Sequence, residues 1–147
     1  MAKYGYYGAE HHIEVKNKTY KGIDNLWQLY EALEKAWDRG TCTSRLRDKW
    51  SEDNKTCGQC AITAFLVQDL CGGCIHELPL VGGGVHCYNV IDGVVVDLAS
   101  EQFGEKAKDL DYTDNPIQDR AFRMQEPEKQ DRYIRLKANL ERICGLN

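Results

Sequence analysis

Cys60 to Leu70 reads Cys-Ala-Ile-Thr-Ala-Phe-Leu-Val-Gln-Asp-Leu, apolar almost all round at helical length, with Gly72-Gly73 following as C-terminal punctuation. A helix that is apolar on every side must be covered on every side, so a buried central helix is the expectation from which the rest follows. Its nearly apolar run, Cys60 to Val67, is much shorter than the roughly 20 residues of a membrane span, and no membrane partner is expected. The 147 residues suit one core, read as a single domain over 1–147.

Other elements supply the cover. Asp92-Gly93 is the dipeptide best suited to a two-residue type I′ turn, and Val85–Ile91 and Val94–Leu98 flank it as strands of a hairpin. Ile75–Val81 reads as a further short strand, separated from the hairpin by Gly82-Gly83-Gly84. Leu26, Leu29, Tyr30, Leu33, Ala36 and Trp37 recur at helical spacing, which predicts an amphipathic helix over 25–38 with Asp24 as N-cap and Gly40 as the stop. A last helix is predicted from Pro127 to Cys144, with Gly145 just past its end and Arg132, Arg135, Lys137 and Arg142 around its apolar stripe. Residues 40–59 read as a long irregular connection anchored by Trp50, and 109–116 as an acidic loop. Residues 1–20 form an N-terminal extension, with Lys16-Asn17-Lys18 as a turn. The fold class is α+β, a central helix packed on a small antiparallel sheet.

Nineteen Lys and Arg against 23 Asp and Glu give a net charge of −4 with no long block of like charge, which argues against a nucleic-acid partner. The start of the sequence lacks a signal-type apolar stretch, so a cytoplasmic setting is expected. Seven cysteines cannot all pair, and in that setting they point to thiol or metal chemistry. Cys60 opens the central helix, where unpaired amides and the positive end of the dipole favour a thiolate. The hairpin register would pair Ile91 with Val94, Tyr88 with Asp97 and His86 with Ala99. His86 and Asp97 then share a face as diagonal neighbours roughly 7 Å apart, with Asn89 pointing the other way. Cys60, His86 and Asp97 make up a nucleophile, a base and an orienting acid.

Rival readings stand beside this one. Cys57-x2-Cys60 and Cys71-x2-Cys74 have the look of a structural zinc site, although an intact helix would separate Cys60 from Cys71 by roughly 16 Å. Cys57 and Cys60 could instead form a reversible disulfide, leaving Cys71, Cys74, Cys87 and Cys144 as packing residues. His11-His12 reads as solvated surface, and His76 has no obvious partner. There is no glycine-rich nucleotide loop and no phosphate-loop lysine, so no cofactor is expected.

Ala36-Trp37, Lys49-Trp50-Ser51, Asn54, Gly58-Gln59-Cys60-Ala61-Ile62-Thr63-Ala64 and Val67-Gln68-Asp69 resemble the YunG-like family of small bacterial proteins. The likeness continues through Gly72-Gly73, His86-x2-Asn89, Asp92-Gly93, Asp97-Leu98, Gln102-Phe103 and Arg132-Tyr133, covering about 25–143. Cys87, in place of an aromatic, and the extra Cys57, Cys71 and Cys74 depart from that pattern. The family looks like a divergent relative of papain- and transglutaminase-type cysteine enzymes, which implies a papain-like fold and the chain order Cys, His, Asp. Asn54 stands at the offset where papain-like enzymes place an oxyanion-hole glutamine, and it is the implied candidate for that role together with Gln59 and the Cys60 amide. Gly83 and Gly84 belong to an expected substrate lip. The function expected is a thiol hydrolase or acyltransferase acting on an amide or thioester of a small molecule or peptide. The alternatives are a catalytically silent binding module of the same fold, or a zinc module.

Overall fold

The computed structural model describes residues 5–145, so the first four residues of the N-terminal extension lie outside the described residues, as do the last two of the sequence. Helix α1 spans Leu26–Ala36, α2 Cys60–Cys71 and α4 Pro127–Cys144, with a single-turn helix α3 at Arg120–Arg123. Strands β1 (Cys74–Pro79), β2 (Val85–Ile91) and β3 (Val94–Val96) form an antiparallel sheet in the order β1-β2-β3. This is an α+β arrangement with a small three-stranded sheet. No helix among the described residues is long and apolar enough to cross a membrane.

The apolar helix α2 is enclosed as its composition demands. Ile62 to Val67, Leu70 and Cys71 are buried. One face packs on β2 and the other on α4, which also packs against α1. Leu29, Leu33, Phe65, Leu136 and Leu140 lie at the shared core. A polar contact crosses it, where the Trp37 indole N–H donates to Thr63 Oγ1 at 2.9 Å. Beside this core, Cys42, Trp50 and Cys57 cluster with Leu46 and give the 40–59 connection its own small apolar anchor. That connection also contains a 3₁₀ helix at Ser44–Lys49, absent from the sequence expectation.

Element ends move by a residue or two. The N-cap of α1 is Asn25, whose side chain accepts from the Gln28 amide at 2.9 Å, while Gln28 Oε1 accepts the Asp24 N–H at 2.8 Å. The expected cap, Asp24, is thus the residue before the cap. The Asp92-Gly93 turn has positive φ at both positions, 50° and 81°, as type I′ requires.

The hairpin ladder is shorter than the sequence predicted. It runs through Ile91↔Val94, Val90↔Val95 and Asn89↔Val96 and then stops. The expected pairs Tyr88 with Asp97 and His86 with Ala99 do not form, because the Asp97 N–H donates to the Tyr7 carbonyl at 3.0 Å. The chain then turns into a second, kinked 3₁₀ segment over Ser100–Asp109. The other sheet edge is also covered: Glu77 N–H donates to the Pro116 carbonyl and Gln118 N–H to the Ile75 carbonyl, both at 2.8 Å.

Gly73, at φ 79°, sits so close to β2 that a Cβ there would run into the Val90 carbonyl oxygen, whereas Gly82, at φ 94°, faces open space. Gly82→Ala therefore meets backbone strain alone, about 1 kcal/mol. Gly73→Ala adds a clash with backbone and should cost about 2–4 kcal/mol, read from urea unfolding midpoints of the two variants.

Candidate functional site

Cys60 is the first residue of α2, so its thiol sits where the first-turn amides of the helix have no partner within the helix. The side chain is half-buried at the floor of a cleft of about 300 Å3. His86, near the start of β2, and Phe103, from the kinked 3₁₀ segment, line the same cleft. The Cys60 thiol lies beside Cys87 and the His86 ring, and both act on its protonation.

Behind His86 the polar chain continues into the core. His86 Nε2 lies 2.6 Å from Asp97 Oδ2, and both residues are 1% exposed. Since Nε2 is committed to the carboxylate, Nδ1 is the ring nitrogen left for Cys60. The buried carboxylate is fully matched by donors: Oδ2 also accepts the Tyr112 hydroxyl at 2.7 Å, and Oδ1 accepts the Ala99 N–H at 3.2 Å. Phe103 meets the imidazole edge-on, ring centroids 4.8 Å apart. Tyr7 stacks on Tyr112 at 4.3 Å, closing the far side of the acid.

These neighbours set the protonation states. The Cys87 thiol, and after it the positively charged His86 ring, hold the Cys60 thiol well below its ordinary range despite burial. Cys87 is pushed the other way, upward, by its bond to Cys60 and by burial. Burial alone would depress His86, but the Asp97 carboxylate and then Cys60 raise it to about 10. Both shifts run toward a thiolate on Cys60 facing a protonated His86, with the buried Asp97 behind the ring and Cys87 as a second thiol against the first.

The structure thus brings Cys60, His86 and Asp97 together, although through a bend in the chain and not through the expected cross-strand register. Asn54 is elsewhere: its Nδ2 donates to the Gln102 carbonyl at 3.4 Å, and it lines a separate acidic depression with Glu34, Glu52 and Glu101. Gln59 is fully buried and donates to the Asp38 carbonyl at 3.2 Å, away from the cleft. Neither residue lines the cleft that holds Cys60. Gly83 lines the cleft, and Gly84 stands next to it at the rim. Asn89 does face away from His86, donating to the Ala64 carbonyl of α2 at 3.0 Å.

The rival cysteine readings are corrected by position. Cys60 and Cys71 cap opposite ends of the intact α2, too far apart for one zinc ion. Cys57 packs with Cys42 in the small apolar cluster, and Cys74 Sγ lies 3.2 Å from His76 Nε2. Among the described residues, no group of three or more His, Cys, Asp or Glu is placed to hold a metal. The Cys57–Cys60 disulfide gives way to a Cys60–Cys87 contact, so Cys87 is not merely a packing residue. His76, without an obvious partner in the sequence, also bonds the Asn115 carbonyl at 2.8 Å and stacks on Tyr88.

Sequence reasoning missed Tyr112 and Gln118, which sit in loops without periodicity. It also gave Arg132 only a place around the apolar stripe of the last helix, whereas the side chain is 3% exposed. Arg132 donates to the carbonyls of Thr41 at 3.0 Å and Gly58 at 3.4 Å, and so fixes the turn that leads into Cys60. Its place in the Arg132-Tyr133 motif of the family resemblance was the available signal.

Fold and site together define an α+β protein with a cysteine–histidine–aspartate line running inward from the floor of a cleft. The chain belongs to the YunG protein family, whose model matches residues 25–145. An uncharacterised protein YunG of Bacillus subtilis (strain 168) is 42% identical over 71 residues, which are 48% of this chain and 56% of that relative. The match thus spans about half the length of each. No solved structure matches.

The pair predicts a pH signature. Iodoacetamide should alkylate Cys60 well below pH 8.5, the ordinary range of a thiol, and ahead of Cys42, Cys71 and Cys144, which burial pushes upward. His86→Ala removes the positive charge that favours the thiolate, so the Cys60 profile should move to higher pH, followed residue by residue by mass spectrometry.

Proposed function

We propose that this protein is a thiol acyl-transfer enzyme, a hydrolase or acyltransferase acting on an amide or thioester. The observation that carries this reading is the buried 2.6 Å contact between His86 and Asp97, with the cleft-lining thiol of Cys60 at the other side of the ring. A buried imidazole held by a carboxylate is costly as mere packing, and it is placed where a proton must move.

The chemistry follows from the atoms. Cys60 Sγ attacks the carbonyl carbon, a carbon–sulfur bond forms, and the carbonyl π pair moves onto oxygen. The Cys60 amide, at the helix N-terminus, is the donor placed for that oxyanion. The intermediate collapses, and the leaving amine or thiolate takes the proton that His86 carries. The acyl group now rests on Cys60 as a thioester. A water or an acceptor amine then attacks, giving its proton to His86 as the carbon–sulfur bond breaks and the thiolate returns. Asp97 holds the imidazole in one tautomer throughout, and Tyr112 and Ala99 hold Asp97.

What this reading shares with papain-type enzymes is the order Cys, His, Asp and a cysteine at the start of a buried helix. The oxyanion role once implied for Asn54 and Gln59 is not part of this proposal.

The test is acylation by p-nitrophenyl acetate. The expected result is a burst of nitrophenolate matched to protein concentration and an acetyl group located on Cys60. Cys60→Ala should abolish the burst, and His86→Ala should slow it by about a hundredfold or more. Acetylation spread evenly over lysines, with no burst, would leave a binding module in place of an enzyme.

A further inference from the structure

The walls of the cleft carry charge opposite to that of the chain. The whole sequence is at −4, yet the charged lining is Arg45, Arg123, Lys129 and Arg132 against Glu77 alone. Three of these cations are already paired: Arg123 with Glu77 at 2.9 Å, Lys129 with Glu126 at 2.8 Å and Arg132 with Glu128 at 2.9 Å. Arg45 is exposed and makes no ion pair among the described residues. Its guanidinium reaches from the 3₁₀ helix toward the glycine lip, with Nη2 3.8 Å from where a Cβ on Gly84 would stand. An unpaired guanidinium at the rim of a cleft is a carboxylate receptor in waiting.

A second, independent group also looks for a ligand. Gln118 is 7% exposed and lines the same cleft. Its Nε2 donates to Glu77 Oε2 at 2.9 Å and to Cys87 Sγ at 3.3 Å. Its Oε1 is buried with no hydrogen-bond partner. Such an acceptor is costly when unmatched, and a substrate N–H satisfies it.

Building on Cys60 as the nucleophile, we propose that the cleft selects acyl compounds that carry a carboxylate a few bonds from the reactive carbonyl and an N–H between them, the pattern of an N-acyl amino acid. The carboxylate sits against Arg45, and the N–H donates to Gln118 Oε1.

Two alkylating probes of nearly equal size test this. Iodoacetate carries the carboxylate and iodoacetamide does not; in each case the thiolate displaces iodide and forms a thioether. The ratio of their rates at one cysteine cancels the thiolate fraction, so it reads charge preference alone. The iodoacetate-to-iodoacetamide ratio should be about fivefold higher at Cys60 than at Cys144. It should fall toward the Cys144 value in Arg45→Ala, an exposed position where folding is not at stake. N-acetylglycine should slow iodoacetamide at Cys60 more than its methyl ester does, and Gln118→Met should weaken that protection. A ratio unmoved by Arg45→Ala overturns the inference, as does equal protection by acid and ester. Failure of the nucleophile reading is separate: there, neutral iodoacetamide alone finds Cys60 titrating like an ordinary thiol.

Discussion

Covering α2 on all sides is the constraint around which the molecule is arranged. Its residues from Ile62 to Val67 leave no polar face to turn to water. The sheet takes one side, and α4 backed by α1 takes the other. Full enclosure leaves only the ends of the helix near the surface. The C-terminal end is closed by Gly72, whose N–H returns to the Gln68 carbonyl at 2.8 Å. The N-terminal end emerges into the cleft, and Cys60 stands there. A core requirement thus brings a thiol to a helix N-terminus, and the strand that covers the helix carries His86 and Cys87 to meet it.

Burying Asp97 and His86 side by side is expensive unless each polar atom is matched. The matching comes from near and far along the chain: the Ala99 amide from the turn after β3, the Tyr112 hydroxyl from the acidic loop, and Cys60 from the helix. Each donor restricts the ring or the carboxylate to one orientation. The same economy holds for Arg132, which would be an isolated buried cation without Glu128 and the two carbonyls it grips. Gln118 departs from this pattern, since one of its two polar ends is matched and the other is buried without a hydrogen-bond partner.

Local chemistry made much of this legible in the sequence. The composition of 60–70, the Asp92-Gly93 turn and the span from Pro127 to Cys144 each carry a signal that tertiary context did not override. The short strand before the glycine run was readable for the same reason. What escaped depends on contacts between distant segments. The hairpin ladder ends early because Tyr7 captures the Asp97 amide, and nothing within the hairpin announces that partner. Asn54 and Gln59 stand at suggestive distances from Cys60 along the chain. The loop between them folds around Trp50 and Cys57, which turns one aside and buries the other. Gln118 enters the cleft only because residues 116–118 pair with the edge of β1, a docking without periodicity to betray it.

The bridge between Tyr7 and Asp97 has a consequence for what counts as the unit of this protein. The family match begins at residue 25, so the segment that takes the Asp97 amide and stacks on Tyr112 lies outside the region shared by descent. Relatedness and cooperativity therefore draw different borders. A chain trimmed to the shared region would retain α2 and the sheet yet open the back of the acid to water, where solvent competes for every bond that aligns the imidazole. In this protein the region shared with the family carries Cys60, His86 and Asp97, and a segment outside that region closes the back of Asp97.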